Sequence, residues 1–416
     1  MANTLNLGNG NWGVKKDSLL GYNSENGNFK PLAFDFTRAS SATVVNKAGL
    51  IETVGSGEPR IDFSNDANGA LLLEPSRTNL IQYSEEFSQW TEDRVLVYDN
   101  QIISPNGILN ADKISENSEN NVHRLYSNTF SAVSGSDYSI SVFAKKGTAT
   151  VLQLGITTSS VIGTGRANFD LQNGVLGSVS GGNAIIENYG NGWYKCIFTF
   201  ESLSTASAPV SFLLTNNDLT ASRNPFYTGN TNQNLYIYGA QLEEGSYATS
   251  YIPTSGSAVT RVADNAYQQG ATQVIGQSEG TMFLEFIPKD SSTLQILYQA
   301  KNSSGTVGQV DIRLQSGLIR ALANDGGVQQ FFINGGSYTV GAKYKVAIRY
   351  KLNDSKLYIN GTDSGSNTSC SFTSSSLDQV SFADNLSSFL PSVDIIDARL
   401  YSTALTDNEL QQLTAI

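Results

Sequence analysis

Along most of this chain, apolar and polar residues alternate with a period of two, in short runs separated by turn formers. Tyr138, Ile140, Val142 and Ala144 alternate with Ser139, Ser141 and Phe143, and Tyr194, Cys196, Phe198 and Phe200 with Trp193, Lys195, Ile197 and Thr199. Met282, Leu284 and Phe286 repeat the pattern, as do Tyr344, Val346, Ile348 and Tyr350. Successive side chains of a strand point to opposite faces, so such runs put one face on a core and leave the other free. The breaks place glycine where a tight turn wants positive φ: Asn173-Gly174, Gly190-Asn191-Gly192 and Asn360-Gly361. Short strands with frequent turns predict an all-β protein of sandwich or jelly-roll type. Composition agrees, because Tyr and Phe stand at 19 each while only 15% of residues are charged, too few for many solvated helices. One short helix is expected at the end, where Thr406 and Glu409 form a capping box and Leu405 and Leu410 a hydrophobic staple.

A length of 416 residues exceeds one ordinary domain. Residues 1–82 show weak periodicity and read as an extended arm that takes shape against partners. Its extended pieces include 31–36 and 41–45, and Phe34, Phe36, Val44, Val45, Ile51 and Leu71 to Leu73 are too apolar for a free tail. Residues 83–262 read as one sandwich and 263–416 as a second, joined through the linker PTSGSA (253–258). Heptads are absent, so a coiled-coil shaft is not expected.

The formal net charge is −11. Bases and acids balance within residues 1–62, so the acidic excess lies beyond them. Such a surface repels phosphate backbones and anionic lipid, which argues against nucleic acid and membrane insertion. The start, MANTLNLGNGNWGVKK, lacks the apolar region of a secretory signal, and no run approaches the ~20 apolar residues of a membrane span. Cys196 and Cys370 fall in different expected domains, consistent with synthesis in a reducing cytoplasm.

Four stretches carry a resemblance. The run FDFTRASSATVVNKAGLIETVGSGEPRIDFSNDANGALLLEPSRTNLI (34–81) resembles the leader of bacteriophage fibre and head-spike proteins. YSEEFSQW (83–90) and GAQLEEGSYATSYIPTSGSAVTR (239–261) resemble the opening and closing strands of the jelly-roll that follows that leader, itself similar to a class of carbohydrate-binding modules. DIIDARLYSTALTDNELQQL (394–413) resembles the end of a concanavalin A-like, laminin-G-like domain. The resemblance implies a structural protein of the virion surface, made in the host cytoplasm. Residues 1–82 would join other virion proteins of capsid or tail, the chain would be a homotrimer, and its heads would adhere to glycans of the host or its surroundings.

Enzyme chemistry is not expected. His123 is the single histidine and has no nucleophile elbow nearby, which removes most triads and His/Cys metal sites. Carboxylate pairs of a depolymerase would have to come from Glu279 and Glu285, roughly 20 Å apart in a strand, or from Asp394 and Asp397, whose odd spacing sends them to opposite faces. Sugar binding calls for flat aromatic faces with a few polar groups. Trp90, Trp193, Tyr189, Phe226 and Tyr227 are the candidates, Tyr227 foremost because it lies in an Asn/Gly-rich loop, whereas Trp90 and Trp193 fit core positions as well. Calcium is the one cofactor both fold families admit, with Glu243, Glu244, Asp354 and Asp363 as candidate ligands. A ligand-free structural subunit of the virion and a polysaccharide depolymerase are the competing readings.

Overall fold

The computed structural model describes residues 4–22, 32–291, 294–305, 307–373, 376–382 and 389–416. Strand accounts for 54% of the chain and helix for 4%, so the protein is all-β. The strands form two compact units: Arg77–Arg261 with Ala48–Glu52, called here the middle unit, and Met1–Lys47, Thr53–Ser76 and Val262–Ile416, called the composite unit.

The middle unit is a sandwich of two six-stranded antiparallel sheets. One runs in the order Thr91–Asp93, Arg124–Ala132, Ala206–Leu214, Val151–Ile156, Arg166–Asp170, Val175–Ser180. The other runs Val95–Ile103, Leu109–Glu116, Asn234–Glu244, Asp137–Lys146, Trp193–Glu201, Asn183–Asn188. The chain crosses repeatedly between the sheets, as in a jelly-roll. Ile140, Val142, Cys196 and Phe198 meet Leu152, Leu154 and Phe212 in the core, at the positions the alternation marks. The far face of the second sheet is also covered: Phe143, Trp193, Tyr238 and Tyr251 form a second apolar cluster. For that reason Lys195 is buried, and its Nζ donates to the Thr249 carbonyl at 2.9 Å. Gly174, Gly190, Asn191 and Gly192 adopt the positive φ expected of their turns.

In the composite unit an eight-stranded and a nine-stranded antiparallel sheet share one core. Here the division differs from the boundaries expected at 82 and 263. Leu5–Gly8 and Ala70–Leu73 both pair with Val393–Tyr401, and Leu32–Thr37 pairs with Asn265–Gln269. Leu5, Leu7, Leu19, Phe34, Phe36, Leu71 and Leu73 are buried among Met282, Leu284, Phe286, Val346 and Ile348. The apolar side chains that seemed too greasy for a free tail therefore complete the C-terminal sandwich, at about 1.5–3 kcal/mol each. Residue 31, in the expected piece 31–36, lies outside the described residues.

A buried charge cluster ties the same segments together. Arg38 Nη1 donates to Asp264 Oδ1 at 3.0 Å, Arg60 Nη1 donates to Glu74 Oε2 at 2.7 Å, and Arg60 Nη2 reaches Asp264 Oδ2. Burial works against the Arg60 charge, but Asp264 and Glu74 outweigh it and raise its pKa above the usual arginine value. At the C-terminus, Asp407–Thr414 is the expected helix. Thr406 N donates to Glu409 Oε2 at 2.8 Å, Glu409 N returns to Thr406 Oγ1 at 3.4 Å, and Leu405 and Leu410 are buried together. Among the described residues no helix is long and apolar enough to cross a membrane.

Candidate functional site

Within the middle unit a cavity of about 340 Å³ is lined by Glu85, Glu86, Asn100, Asn110, Pro253, Thr254 and Ser255. Its size suits a sugar unit or a short oligosaccharide, as small-molecule sites begin near 300 Å³. Three local devices build it. Phe87 is fully buried and anchors the short 3-10 turn Phe87–Gln89, which fixes the preceding acids. Asn100 takes φ 55°, a left-handed value that asparagine tolerates, at an irregular stretch of Val95–Ile103 where pairing with Leu109–Glu116 shifts register. Its N–H donates to Asp112 Oδ1 at 2.8 Å. Ser84 Oγ accepts from Thr254 N at 2.7 Å and lies 2.7 Å from Tyr251 Oη, locking the two walls together.

The polar groups are held in fixed directions. Glu85 Oε1 accepts from Tyr238 Oη at 3.1 Å and Tyr251 Oη at 2.9 Å, while Glu85 Oε2 accepts from Asn110 Nδ2 at 3.4 Å. Ser255 Oγ donates to Glu86 Oε1 at 2.6 Å. Burial, and then the Glu85 charge, push both phenols above the usual tyrosine range. Behind this wall, burial pushes the Asp112 carboxyl up to about 6, with Asp99 and Glu85 adding to the rise and the N–H groups of Asn100 and Phe87 opposing it. Asp112 does not line the cavity, and its two oxygens accept those backbone N–H groups. It acts as a structural pin. The cavity thus presents carboxylate acceptors, amides and hydroxyls, a mixture matched to sugar hydroxyls.

The aromatic residues expected at a sugar site are distributed otherwise. Trp90 is buried against Phe87 and Phe212, with ring centroids at 5.2 and 5.0 Å, and its Nε1 donates to the Tyr83 carbonyl at 2.8 Å. Trp193 is buried with Phe143, and its Nε1 donates to the Ile103 carbonyl at 3.2 Å. Tyr189 is half-buried, edge-on to Phe143 at 4.8 Å. Tyr227 packs against the buried His123, ring centroids 4.8 Å apart and tilted at 47°, and donates to Glu116 Oε1 at 2.6 Å, which turns its polar tip inward. Only Phe226 among them is well exposed, at 66%. None of the five lines the cavity.

The candidate calcium ligands do not converge either. Glu243 is fully buried and accepts from Thr249 N at 2.8 Å and from the Thr249 hydroxyl, while neighbouring Glu244 is exposed. Asp354 pairs with Arg349, and Asp363 lies 3.4 Å from Lys356. Among the described residues no group of three or more His, Cys, Asp or Glu side chains is placed to hold a metal ion. The carboxylates considered for hydrolysis are engaged one by one: Glu279 with Lys351 at 3.8 Å, Glu285 with Lys343 at 3.7 Å, Asp394 with Lys289 at 3.1 Å, and Asp397 with Arg399. Both cysteines are free and buried, and burial pushes the Cys196 thiol up.

Residues 85, 86 and 253–255 sit inside the stretches 83–90 and 239–261 that carry the sequence resemblance, whereas the candidates expected there are Trp90, Glu243 and Glu244. The adjacent pair Glu85-Glu86 ahead of an apolar Phe87 is the signal the sequence holds.

No family model matches the chain, and no curated protein does. Among solved structures it is similar to the CBM40 of the Ruminococcus gnavus IT-sialidase bound to α2,3-sialyllactose, at 16% identity over 35% of this chain and 87% of that one, TM-score 0.32. It is also similar to domain 4 of AbnA, a GH43 extracellular arabinanase from Geobacillus stearothermophilus, in complex with arabinotriose (14% identity, 41% and 82% covered, TM-score 0.31). A third is the receptor-binding domain of botulinum neurotoxin type G (14% identity, 36% and 38% covered, TM-score 0.28). Scores this low say nothing about ligand or origin, and the fold rests on the strand pairing described above.

Proposed function

We infer that the chain is a non-enzymatic adhesion subunit of a virion surface fibre or spike, and that its middle unit binds glycans weakly and multivalently. The observation that carries the binding part is the cavity at Glu85, Asn110 and Ser255, whose acceptors and donors are held in place by Tyr238, Tyr251 and Ser84. The virion part is supported by the resemblance of residues 34–81 to fibre and spike leaders. Weak sites gain through effective concentration when several copies are linked, which fits a homotrimer joined to capsid or tail. Co-sedimentation of the intact protein with insoluble polysaccharides tests the binding, and Asn110→Ala is expected to weaken it about tenfold. Sedimentation velocity tests the trimer, and a monomer at micromolar concentration refutes that part.

A ligand-free structural subunit is the second reading. It is favoured by the burial of Trp90 and Trp193, which removes the broadest stacking faces from the surface. Binding that is absent for every polysaccharide, with the protein folded, selects it.

A further inference from the structure

The cavity of the middle unit is open to solvent. Glu86, Asn100, Pro253 and Ser255 are exposed on it, and Glu85 is half-buried. Its charge is one-sided. Two of the lining residues are acids and none is a lysine, arginine or histidine. Among the described residues neither Glu85 nor Glu86 pairs with a basic side chain; their partners are phenols, an amide and a hydroxyl. Asp112, behind the wall, registers the same field. Burial first, and then Asp99 and Glu85, raise its pKa, and the groups that oppose the rise are backbone N–H groups, not a cation.

The hydrogen bonds show which atoms are left for a ligand. Glu85 Oε1 is taken by the Tyr238 and Tyr251 hydroxyls, whereas Glu85 Oε2 has only the long 3.4 Å contact with Asn110 Nδ2. Glu86 Oε1 accepts from Ser255 Oγ, and Glu86 Oε2 accepts from no described protein group. Two adjacent carboxylates thus each keep an acceptor oxygen, while both phenol donors are spent on Glu85.

The chemistry of the occupant follows from that surplus of acceptors. A sugar hydroxyl supplies one neutral donor, and an N-acetyl group supplies one neutral N–H. An ammonium supplies three donors, needs no acceptor and carries the opposite charge. Charge-assisted bonds of that kind are roughly twice as strong as neutral ones. An acidic sugar brings a carboxylate, which supplies no donor and is repelled. Calcium is a poorer match, because among the described residues no three acids converge to hold it. The volume of about 340 Å³ gives the acid pair room for a sugar residue beside it.

We propose that this cavity selects sugars bearing a free amino group, held as the ammonium by Glu85 and Glu86, and rejects acidic sugars. The inference rests on the glycan-binding reading of the same cavity and names its ligand class.

The test titrates the intact chain at about pH 6, where amines are charged, with oligomers of glucosamine, N-acetylglucosamine and galacturonic acid matched in length. The glucosamine oligomer is expected to bind about tenfold tighter than its N-acetylated counterpart, and the acidic oligomer not to bind. About 0.5 M salt is expected to erase most of that preference. Glu86→Gln, at an exposed position where the melting temperature should not change, is expected to narrow the preference about threefold or more, and Glu85→Gln to narrow it further. Glu201→Gln removes the same charge from an exposed site that does not line the cavity, and should leave the preference as it is. If all three variants keep the parent's preference, the attraction comes from the net charge of −11 and the inference is overturned. It is also overturned if the N-acetylated or acidic oligomer binds as tightly as the amino one, if calcium displaces the oligomer where an equal ionic strength of sodium chloride does not, or if a lysine-rich peptide binds more tightly than the oligomer. In the case of a missing preference, weakening by Asn110→Ala of whichever oligomer binds leaves the glycan reading of the cavity standing. No binding by any oligomer removes both.

Discussion

The middle unit is almost one continuous piece of chain, whereas the composite unit is assembled from three, and its first and last strands lie at opposite ends of the sequence. Thr4 N donates to the Leu400 carbonyl at 2.9 Å. Both units are antiparallel sandwiches with the same alternation, so periodicity describes them equally well. They differ in where the partners of each strand come from. Alternation is a property of the neighbours along a strand, and it carries no record of the strand opposite. Closing pairs across nearly the whole chain costs loop entropy that the composite unit offsets with deep burial and a shared charge cluster.

Arg60 is where the composite unit should be most sensitive. Arg60→Met leaves Glu74 and Asp264 buried without that partner, and is expected to cost about 3–5 kcal/mol. The loss should appear as a lower denaturation midpoint for the composite unit, followed by calorimetry or urea titration. An unchanged transition for that unit contradicts the role given to the cluster. Leu71→Ala comes next, at about 2–4 kcal/mol for a leucine fully buried in that core. If residues 1–82 were a separate arm, the same change would leave the C-terminal sandwich as stable as before, so equilibrium unfolding discriminates.

The middle unit has its own signature in pH. Folding raises the Asp112 carboxyl from 3.8 to about 6, so the native state holds a proton that the unfolded chain releases. The resulting stabilisation is complete below pH 3.8 and is lost as pH rises through about 6, an effect of about 1–3 kcal/mol. Asp112→Asn is expected to flatten that slope relative to the parent, measured as the difference between their urea midpoints from pH 3.5 to 7. Parallel curves would show that the carboxyl does not titrate in that window. Smaller again is Tyr227→Phe, which removes the bond to Glu116 while Asn230 N remains on Glu116 Oε2 at 2.9 Å. About 1 kcal/mol is expected. Phe226→Ala, at an exposed ring, should change stability by less than about 0.5 kcal/mol. A larger effect of Phe226 would mean that its ring is buried in solution.

These contrasts show what was legible beforehand. The alternation at Ile140, Val142, Cys196 and Phe198, the turn at Asn173-Gly174 and the capping box at Thr406 are local, and each is present as expected. The membership of Leu5, Phe34 and Leu71 in a distant core was not legible, because only their apolarity, and not their partners, is written nearby. The placement of the candidate site residues depends on partners in the same way. Trp90 and Trp193 have the chemistry of a sugar platform, but their burial depends on Phe212 and Phe143 in other strands. Conversely, Glu85, Asn100 and Ser255 look like ordinary surface residues until the 3-10 turn, the irregular strand and the 251–255 segment bring them together.

The proposed glycan site is the cavity of the middle unit. The most direct measurement is a titration of the intact protein against the glycan it retains most strongly on an array, alongside Asn110→Ala of equal melting temperature. Saturable binding is expected, competed by the free sugar and weakened about tenfold in the variant. Equal affinity of the two proteins, or no binding by either, contradicts it.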